Sequence, residues 1–299
     1  MATRIPFVRD MDFAYGAPQQ MSPRIRRVVA NNPGPFTFTG TGVYIIGQGE
    51  VAVIDPGPDE PAHLAALEHA IGDERVTHIF VTHRHLDHSP AARPLAELTG
   101  AKIYASGIAP RVSADDFVAE AGDDLSFKPD VVAKDGDVFS GPGWKLEALM
   151  TPGHTSDHMC LALHEENALF SGDHIMGWST TVISPPDGDM DAYLDSLIRV
   201  EVRNFATLWP THGPSVREVR TFIQSYYRHR IDRENQVLAQ LADGPHRIME
   251  MVPIIYADVD KRLWPAAAHS VLAHMIRLVK NGRVTCEGAP DVNSLYALS

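Results

Sequence analysis

The stretch Val81-Thr82-His83-Arg84-His85-Leu86-Asp87-His88 (VTHRHLDH) puts three histidines and an aspartate within six residues. A packed core excludes such a set of polar rings unless each is paired, and a solvated loop gains nothing from it. A bound metal accounts for it best. Residues 76–81 read as a short strand and residues 91–98 as a helix. The cluster therefore lies in a loop at a strand end, where binding residues collect on a rigid frame. His-x-His aims two imidazoles the same way, while Asp87 and His88 reach toward a second position. Imidazole nitrogen and carboxylate oxygen are the ligands zinc takes in catalytic sites, usually about three or four from the protein. The loop alone is incomplete, so further ligands are expected from other parts of the chain.

Three more stretches qualify. Met150-Thr-Pro-Gly-His-Thr155 places His154 after a strand, Leu169-Phe-Ser-Gly-Asp173 places Asp173 after another, and Trp209-Pro-Thr-His-Gly-Pro214 places His212 after a third. Each candidate stands beside Gly or Pro, where strand-end loops turn.

Taken in order, Thr-His-x-His-x-Asp-His, Thr-Pro-Gly-His-Thr, Ser-Gly-Asp and Thr-His-Gly-Pro over residues 82–214 resemble the metallo-β-lactamase superfamily, and the Asp55-Pro-Gly turn extends the likeness. The resemblance implies an α/β fold, an αββα sandwich with a two-metal site at one edge. It implies one ion on His83, His85 and His154, a second on Asp87, His88 and His212, and Asp173 bridging them. Two Zn²⁺ are expected, with manganese or iron able to replace them. Such a pair, about 3.5–4 Å apart, holds a shared hydroxide at neutral pH. Two divalent ions, two aspartates and a hydroxide leave a net positive pocket, suited to an anionic substrate or a carbonyl developing an oxyanion. Asp87 is then a candidate to orient the attacking group. His174 and His158 are candidate general acids, with packing as the competing role. Asp55 either holds a ligand histidine by a hydrogen bond or simply shapes its turn. Thr82, Thr151 and Thr155 read as loop-structuring residues.

The rest of the chain sets bounds. Its 299 residues divide into a catalytic part over 1–214 and a smaller unit over 215–299. Residues 1–35 read as an irregular surface arm, residues 36–46 and 51–55 as a hairpin, 107–130 as an acidic loop, and 131–139 as a strand. In the second unit Ser215-Val-Arg-Glu218 reads as a capping box opening a long helix. Two further helices follow, around 248–256 and 265–280, and a small strand over 283–286. Three helices with a β wing resemble a winged-helix subgroup of the β-lactamase-like-protein-2 type, whose mitochondrial member is an endoribonuclease on single-stranded RNA. On that likeness Arg228, Arg230 and Arg233 of the first helix become candidate phosphate contacts, against the plainer reading of a solvated charged face.

Charge cuts the other way. Residues 1–213 carry 15 Lys and Arg against 29 Asp and Glu, and residues 214–299 carry 11 against 9. An acidic body with no dense basic stripe disfavours general nucleic-acid binding. Phosphodiester cleavage of single-stranded RNA thus competes with hydrolysis of a small thioester, ester or lactone. An iron-dependent oxidoreductase and a nucleic-acid-binding protein without catalysis are the readings from other classes. No apolar run approaches a membrane span, and no membrane partner is expected. The N-terminus has no apolar secretory stretch, and the two cysteines, Cys160 and Cys286, are too few for a disulfide framework. A cytoplasmic setting is expected, and the second unit is a candidate homodimer contact.

Overall fold

A computed structural model of the chain describes residues 3–110 and 122–299. Part of the acidic stretch read as a loop, residues 111–121, lies outside the described residues.

The first sheet is built from β1 (Gln19–Ser22), β2 (Ile25–Val29), β3 (Gly42–Gln48), β4 (Glu50–Ile54), β5 (Arg75–Phe80), β6 (Lys102–Ala105) and β7 (Val131–Val132), side by side in that order. The pairs up to β3–β4 are antiparallel, and β4 to β7 run parallel. Helices α1 (Pro61–Ile71) and α2 (Ala92–Thr99) make the parallel crossovers around β5. The second sheet contains β8 (Val138–Gly141), β9 (Trp144–Met150), β10 (Met159–Leu163), β11 (Ala168–Gly172) and β12 (Thr207–Pro210), in the order β12-β11-β10-β9-β8. Helix α3 (Met190–Val202) joins β11 to its parallel neighbour β12.

Side-chain alternation assembles the layers. Along β3 and β4, Val43, Ile45, Val51 and Val53 face a core shared with Leu67 of α1 and Leu95 of α2. Tyr44, Ile46, Ala52 and Ile54 face the other way, against Leu146, Leu161, Phe170 and Trp209 of the second sheet. The second sheet's outer face, including Cys160, Ala162 and Leu208, is covered by α3 and by α4 (Val219–Leu241). The result is the expected αββα sandwich. Its middle layer includes Trp144 and Trp209, each of which removes roughly 150–250 Å² from water, worth about 4–6 kcal/mol as an upper bound.

The C-terminal unit adds β13 (His246–Arg247), α5 (Ile248–Ile255), α6 (Trp264–Lys280), β14 (Val284–Cys286) and β15 (Leu295–Leu298). Its three strands form a small sheet, β13-β15-β14, over a core of Val237, Met251, Val271, Met275 and Tyr296. Helix α4 serves both bodies. Phe222, Ile223 and Tyr226 pack on the sandwich, while Val237 and Leu241 pack on α5 and α6.

Four local expectations are corrected. The N-terminal arm contains β1 and β2, because Ile25, Val28 and Val29 are buried against the sheet. The run from Phe36 becomes a strand only at Gly42; before it the chain turns, with Phe38 at φ +56° and Gly40 bonded back to Thr37. The run over 131–139 splits between the sheets, because Asp137 caps a turn by accepting from the Lys134 N–H at 2.8 Å. Ser215 does not cap α4. Val216 exchanges both backbone bonds with Leu208, at 2.9 and 3.0 Å, which keeps the chain extended until the helix starts at Val219.

Candidate metal centre

Every candidate ligand leaves the C-terminal end of a strand on the same edge of the sandwich. His83, His85, Asp87 and His88 follow β5, His154 follows β9, Asp173 follows β11, and His212 follows β12. Glycines make two of these exits possible. A Cβ on Gly153 would lie 2.3 Å from the Tyr193 Cα, so only glycine lets α3 press against the His154 loop. A Cβ on Gly172 would meet the His158 ring at 2.6 Å, just before Asp173.

The structure brings all seven candidates into three overlapping groups: His83 with His85 and His154; His83 with His88 and Asp173; Asp87 with His88 and His212. Within each group the candidate ligand atoms lie within 4.8 Å of one another. His83 Nε2 and His85 Nδ1 are 2.9 Å apart. His212 Nε2 is 3.0 Å from Asp87 Oδ2 and 3.5 Å from Asp173 Oδ2. His88 Nε2 stands 3.5 Å from Asp87 Oδ2 and 3.6 Å from Asp173 Oδ2.

The far sides of the rings are held by the protein. His83 Nδ1 meets Thr82 Oγ1 at 3.0 Å, His88 Nδ1 donates to Asp55 Oδ2 at 3.0 Å, and His154 Nδ1 donates to the Val182 carbonyl at 2.7 Å. A bond on one ring nitrogen fixes the tautomer and turns the other nitrogen's lone pair toward the centre. Asp55 is fully buried and also accepts from Thr82 N at 2.8 Å, Thr82 Oγ1 at 2.9 Å and Thr211 Oγ1 at 2.9 Å. It therefore ties the β5 and β12 exits together, beyond shaping its own turn.

Electrostatics divide the histidines. Burial, helped by neighbouring rings, holds His83 well below the ordinary histidine value and His85 at about 3, so both are neutral. Burial also pulls on His88 and His212, but Asp87 and Asp173 outweigh it. They raise His88 well above the ordinary value and His212 to about 10. Burial would raise Asp87; His88 and His212 overcome it and hold the carboxyl at about 2. Protons on imidazoles thus balance two buried carboxylates, in positions a divalent cation would fill. His88 Nε2 and Asp173 Oδ1 are buried without a hydrogen-bond partner among the described residues. Orphaned donor atoms of metal-binding type, converging within ligand reach, fit a divalent metal.

The two candidate proton donors sit in different settings. His158 is fully engaged: its Nδ1 meets Thr151 Oγ1 at 2.8 Å and its Nε2 accepts from Asp173 N at 3.1 Å. It fixes the backbone at Asp173. His174 is wholly buried, its ring edge-on to Tyr193 at 5.0 Å, and burial takes it down to about 3. The ring is neutral at pH 7, and both of its nitrogens are buried without a hydrogen-bond partner among the described residues. The three candidate arginines of α4 also part company. Arg230 is 3% exposed and donates to the Thr181 carbonyl. Arg233 donates to the Ile255 carbonyl and lies over the Tyr256 ring at 4.4 Å. Only Arg228 of the three is exposed.

One pair escaped sequence reasoning. Arg84 Nε donates to Asp157 Oδ2 at 3.0 Å, both side chains buried, joining the His83–His85 loop to the His154 loop. Opposite charges at the variable positions of two ligand motifs were the available signal.

Comparison with known proteins identifies the family and the fold. Residues 37–212 match the family model for the metallo-beta-lactamase superfamily, and residues 248–291 match the beta-lactamase associated winged helix domain. A relative from Drosophila melanogaster, named beta-lactamase-like protein 2 homolog, is 30% identical over 284 residues, covering 91% of this chain and 93% of that protein. A relative from Aspergillus fumigatus, named atrochrysone carboxyl ACP thioesterase, is 31% identical over 280 residues, covering 86% and 82%. The crystal structure of a beta-lactamase domain protein from Burkholderia ambifaria superposes with a TM-score of 0.80 at 24% identity, covering 99% of this chain and 97% of that one.

Proposed function

This chain belongs to the metallo-beta-lactamase superfamily and is a metal-dependent hydrolase; from that premise we propose a two-zinc enzyme that attacks the carbonyl carbon of a thioester or ester. The observation that carries the reading is the overlap of three ligand groups at one strand edge, with Asp173 among residues of both outer groups. His83, His85 and His154 would hold one ion, Asp87, His88 and His212 the other, and Asp173 would lie between them. Zinc held there supplies Lewis-acid polarisation of a carbonyl and a water acidic enough to ionise near neutral pH.

The chain's own groups prepare that chemistry. Asp87 stays ionised, so it can accept a hydrogen bond from an attacking water and fix its direction. The tautomers of His88 and His154 are set by Asp55 and by Val182, so neither ring has to turn during reaction. His158 anchors the Asp173 backbone, which keeps that carboxylate between the two ligand groups.

Three observations support a carbonyl substrate over a phosphodiester. Arg230 and Arg233 are committed to main-chain carbonyls. Asp123, with its carboxylate 3.9 Å from His85 Nε2, adds negative charge beside the ligands. A relative covering most of the chain bears a thioesterase name. A second reading, cleavage of single-stranded RNA, is favoured by the winged-helix match and by relatives named beta-lactamase-like protein 2 homolog, the type likened above to an endoribonuclease.

The deciding experiment offers the zinc-loaded chain an acyl-pantetheine thioester, a 4-nitrophenyl ester and an end-labelled single-stranded RNA, with Asp87→Ala as control. Thioester or ester hydrolysis lost in Asp87→Ala, with RNA intact, is the expected result. RNA cleavage lost in the same variant, with both acyl substrates untouched, would overturn it in favour of the second reading.

A further inference from the structure

Helix α4 belongs to the C-terminal unit by sequence, yet its buried face grips the segment that follows Asp173. The single Tyr226 O–H faces the Met176 carbonyl at 2.6 Å and the Ser179 carbonyl, either of which can accept it, and Oη accepts from Met176 N at 3.2 Å. One turn on, Arg230 donates to the Thr181 carbonyl, and its guanidinium lies 5.3 Å from the Tyr193 ring centre. The segment so held touches the ligand set twice. Thr181 Oγ1 donates to the Asp173 carbonyl at 2.7 Å, and the neighbouring Val182 carbonyl receives the His154 Nδ1–H at 2.7 Å. Tyr193, under the guanidinium, is the residue against which Gly153 closes.

We propose that Arg230 is a positioning residue of the metal centre: it fixes residues 181–182, and through them the tautomer and aim of His154 and the backbone of Asp173. The proposal rests on the two-metal reading above and deepens it. A buried guanidinium is costly unless its donors are satisfied and its charge is shielded. This one is spent on a main-chain carbonyl next to the carbonyl that orients a ligand, where a nonpolar side chain would pack without that cost. The C-terminal helix is then part of the metal site's frame, and the unit does more than dock beside it.

Loss of an outer partner of a metal-ligating histidine costs on the order of 10–100-fold in metal affinity. The test uses the full chain, stripped of metal and titrated with Zn²⁺ against a chromophoric chelator, then with Co²⁺ while its visible spectrum is recorded. Wild type is expected to take two ions. Arg230→Met, which keeps an unbranched apolar stem and removes the donors, is expected to lose affinity about 10–100-fold at one of the two sites and to change the cobalt spectrum. Arg233→Met is the control, since Arg233 also donates to a carbonyl from α4, but to that of Ile255 at the end of α5. It is expected to bind both ions as wild type does, whatever it does to the melting temperature. Arg230→Lys keeps one donor and guards against a Met variant that does not fold; it is expected to fall between wild type and Arg230→Met. Two-ion binding by wild type with unchanged affinity and spectrum in the folded Arg230 variants would overturn the inference and leave the two-metal reading standing. A wild type that binds no ion would overturn both.

Discussion

At the strand edge, Asp87 and Asp173 are buried against imidazoles alone; at the seam between α3, α4 and α6, Glu234 is buried against the guanidinium groups of Arg277 and Arg283 as well as the His274 ring, 3.8 Å away. Glu234 lies 2.5 Å from Arg277 and 3.3 Å from Arg283, and Arg277 and Lys280 reach across to Asp191 at 2.7 and 2.9 Å. Guanidinium groups keep their charge at any working pH, so Glu234 stays paired with a fixed positive charge whatever the state of the His274 ring. Imidazoles can give up protons where guanidinium groups cannot, so the strand edge is neutral only while His88 and His212 are protonated or a cation takes their place. The same quantity, a buried carboxylate, is thus used in one place as a fixed clasp and in the other as half of an exchangeable site.

The harshest way to break the comparison is to remove ligands from the strand edge. His83→Ala combined with His88→Ala takes a member from each outer ligand group, and elemental analysis is expected to find no bound metal. Hydrolysis is expected to fall by about a thousandfold or more, since the lost Lewis-acid contribution is worth several kcal/mol. Metal retained at two ions per chain would show that the histidine cluster is not the site.

Asp55→Ala should come next in size. It deprives Thr82, His88 and Thr211 of one buried acceptor, and orphaned buried donors cost about 1–3 kcal/mol each before relaxation. A drop of about 2–4 kcal/mol in urea unfolding is expected, with zinc affinity down about 10–100-fold by chelator competition. A variant that unfolds like wild type would return Asp55 to a simple turn role.

Proton exchange sharpens the contrast further. His83 and His85 are already neutral at pH 7, whereas His88 and His212 must lose protons before they bind a cation. Zinc affinity at the Asp87–His88–His212 group should therefore rise with pH, on the order of tenfold per pH unit for each proton released, between pH 6 and 9. Calorimetry in buffers of different ionisation enthalpy counts those protons; none released would break the distinction. In the metal-free fold, the raised His212 contributes stability that is full below about pH 6.5 and fades as pH rises through about 10. The lowered His85 acts oppositely, since the unfolded chain takes up a proton that the folded chain refuses as pH falls from about 6.5 toward 3. At the seam Arg277 and Arg283 add no slope in this range; burial lowers His274 beside Glu234, which adds a slope of the same sign as that of His85.

These two regions also differ in how far the sequence discloses them. All seven candidate ligands could be read directly, because a ligand carries its chemistry in its own side chain and must sit at a strand exit, and VTHRHLDH advertises both. The supporting contacts were dimmer. Val182 acts through a main-chain carbonyl, which no residue type announces. Arg230 reads as a surface cation because helical spacing assigns it a face without saying that residues 181–182 will cover that face. Ser215-Val-Arg-Glu has the spacing of a helix cap, but the competing bridge between Val216 and Leu208 is a long-range contact, invisible locally. Partners distant in the chain and main-chain groups are what the motifs leave out.

The smallest effect expected is at the outer end of the seam. Lys280 is exposed and shares Asp191 with Arg277. An exposed ammonium is well hydrated, loses rotamer freedom to make the contact, and is screened by salt, so its pairing contributes little. Arg277 remains on both Asp191 and Glu234 when Lys280 is gone. Lys280→Ala should therefore leave the melting temperature within about 1 °C of wild type at physiological salt, by calorimetry. Arg277→Ala, which leaves Glu234 buried with one guanidinium fewer, should lower it distinctly more. Equal shifts for the two variants would mean that the seam is held by apolar packing of α3, α4 and α6, with the charges incidental. A larger shift for Arg277 alone would fix the clasp on the buried carboxylate, the feature that sets this seam apart from the exchangeable carboxylates at the strand edge.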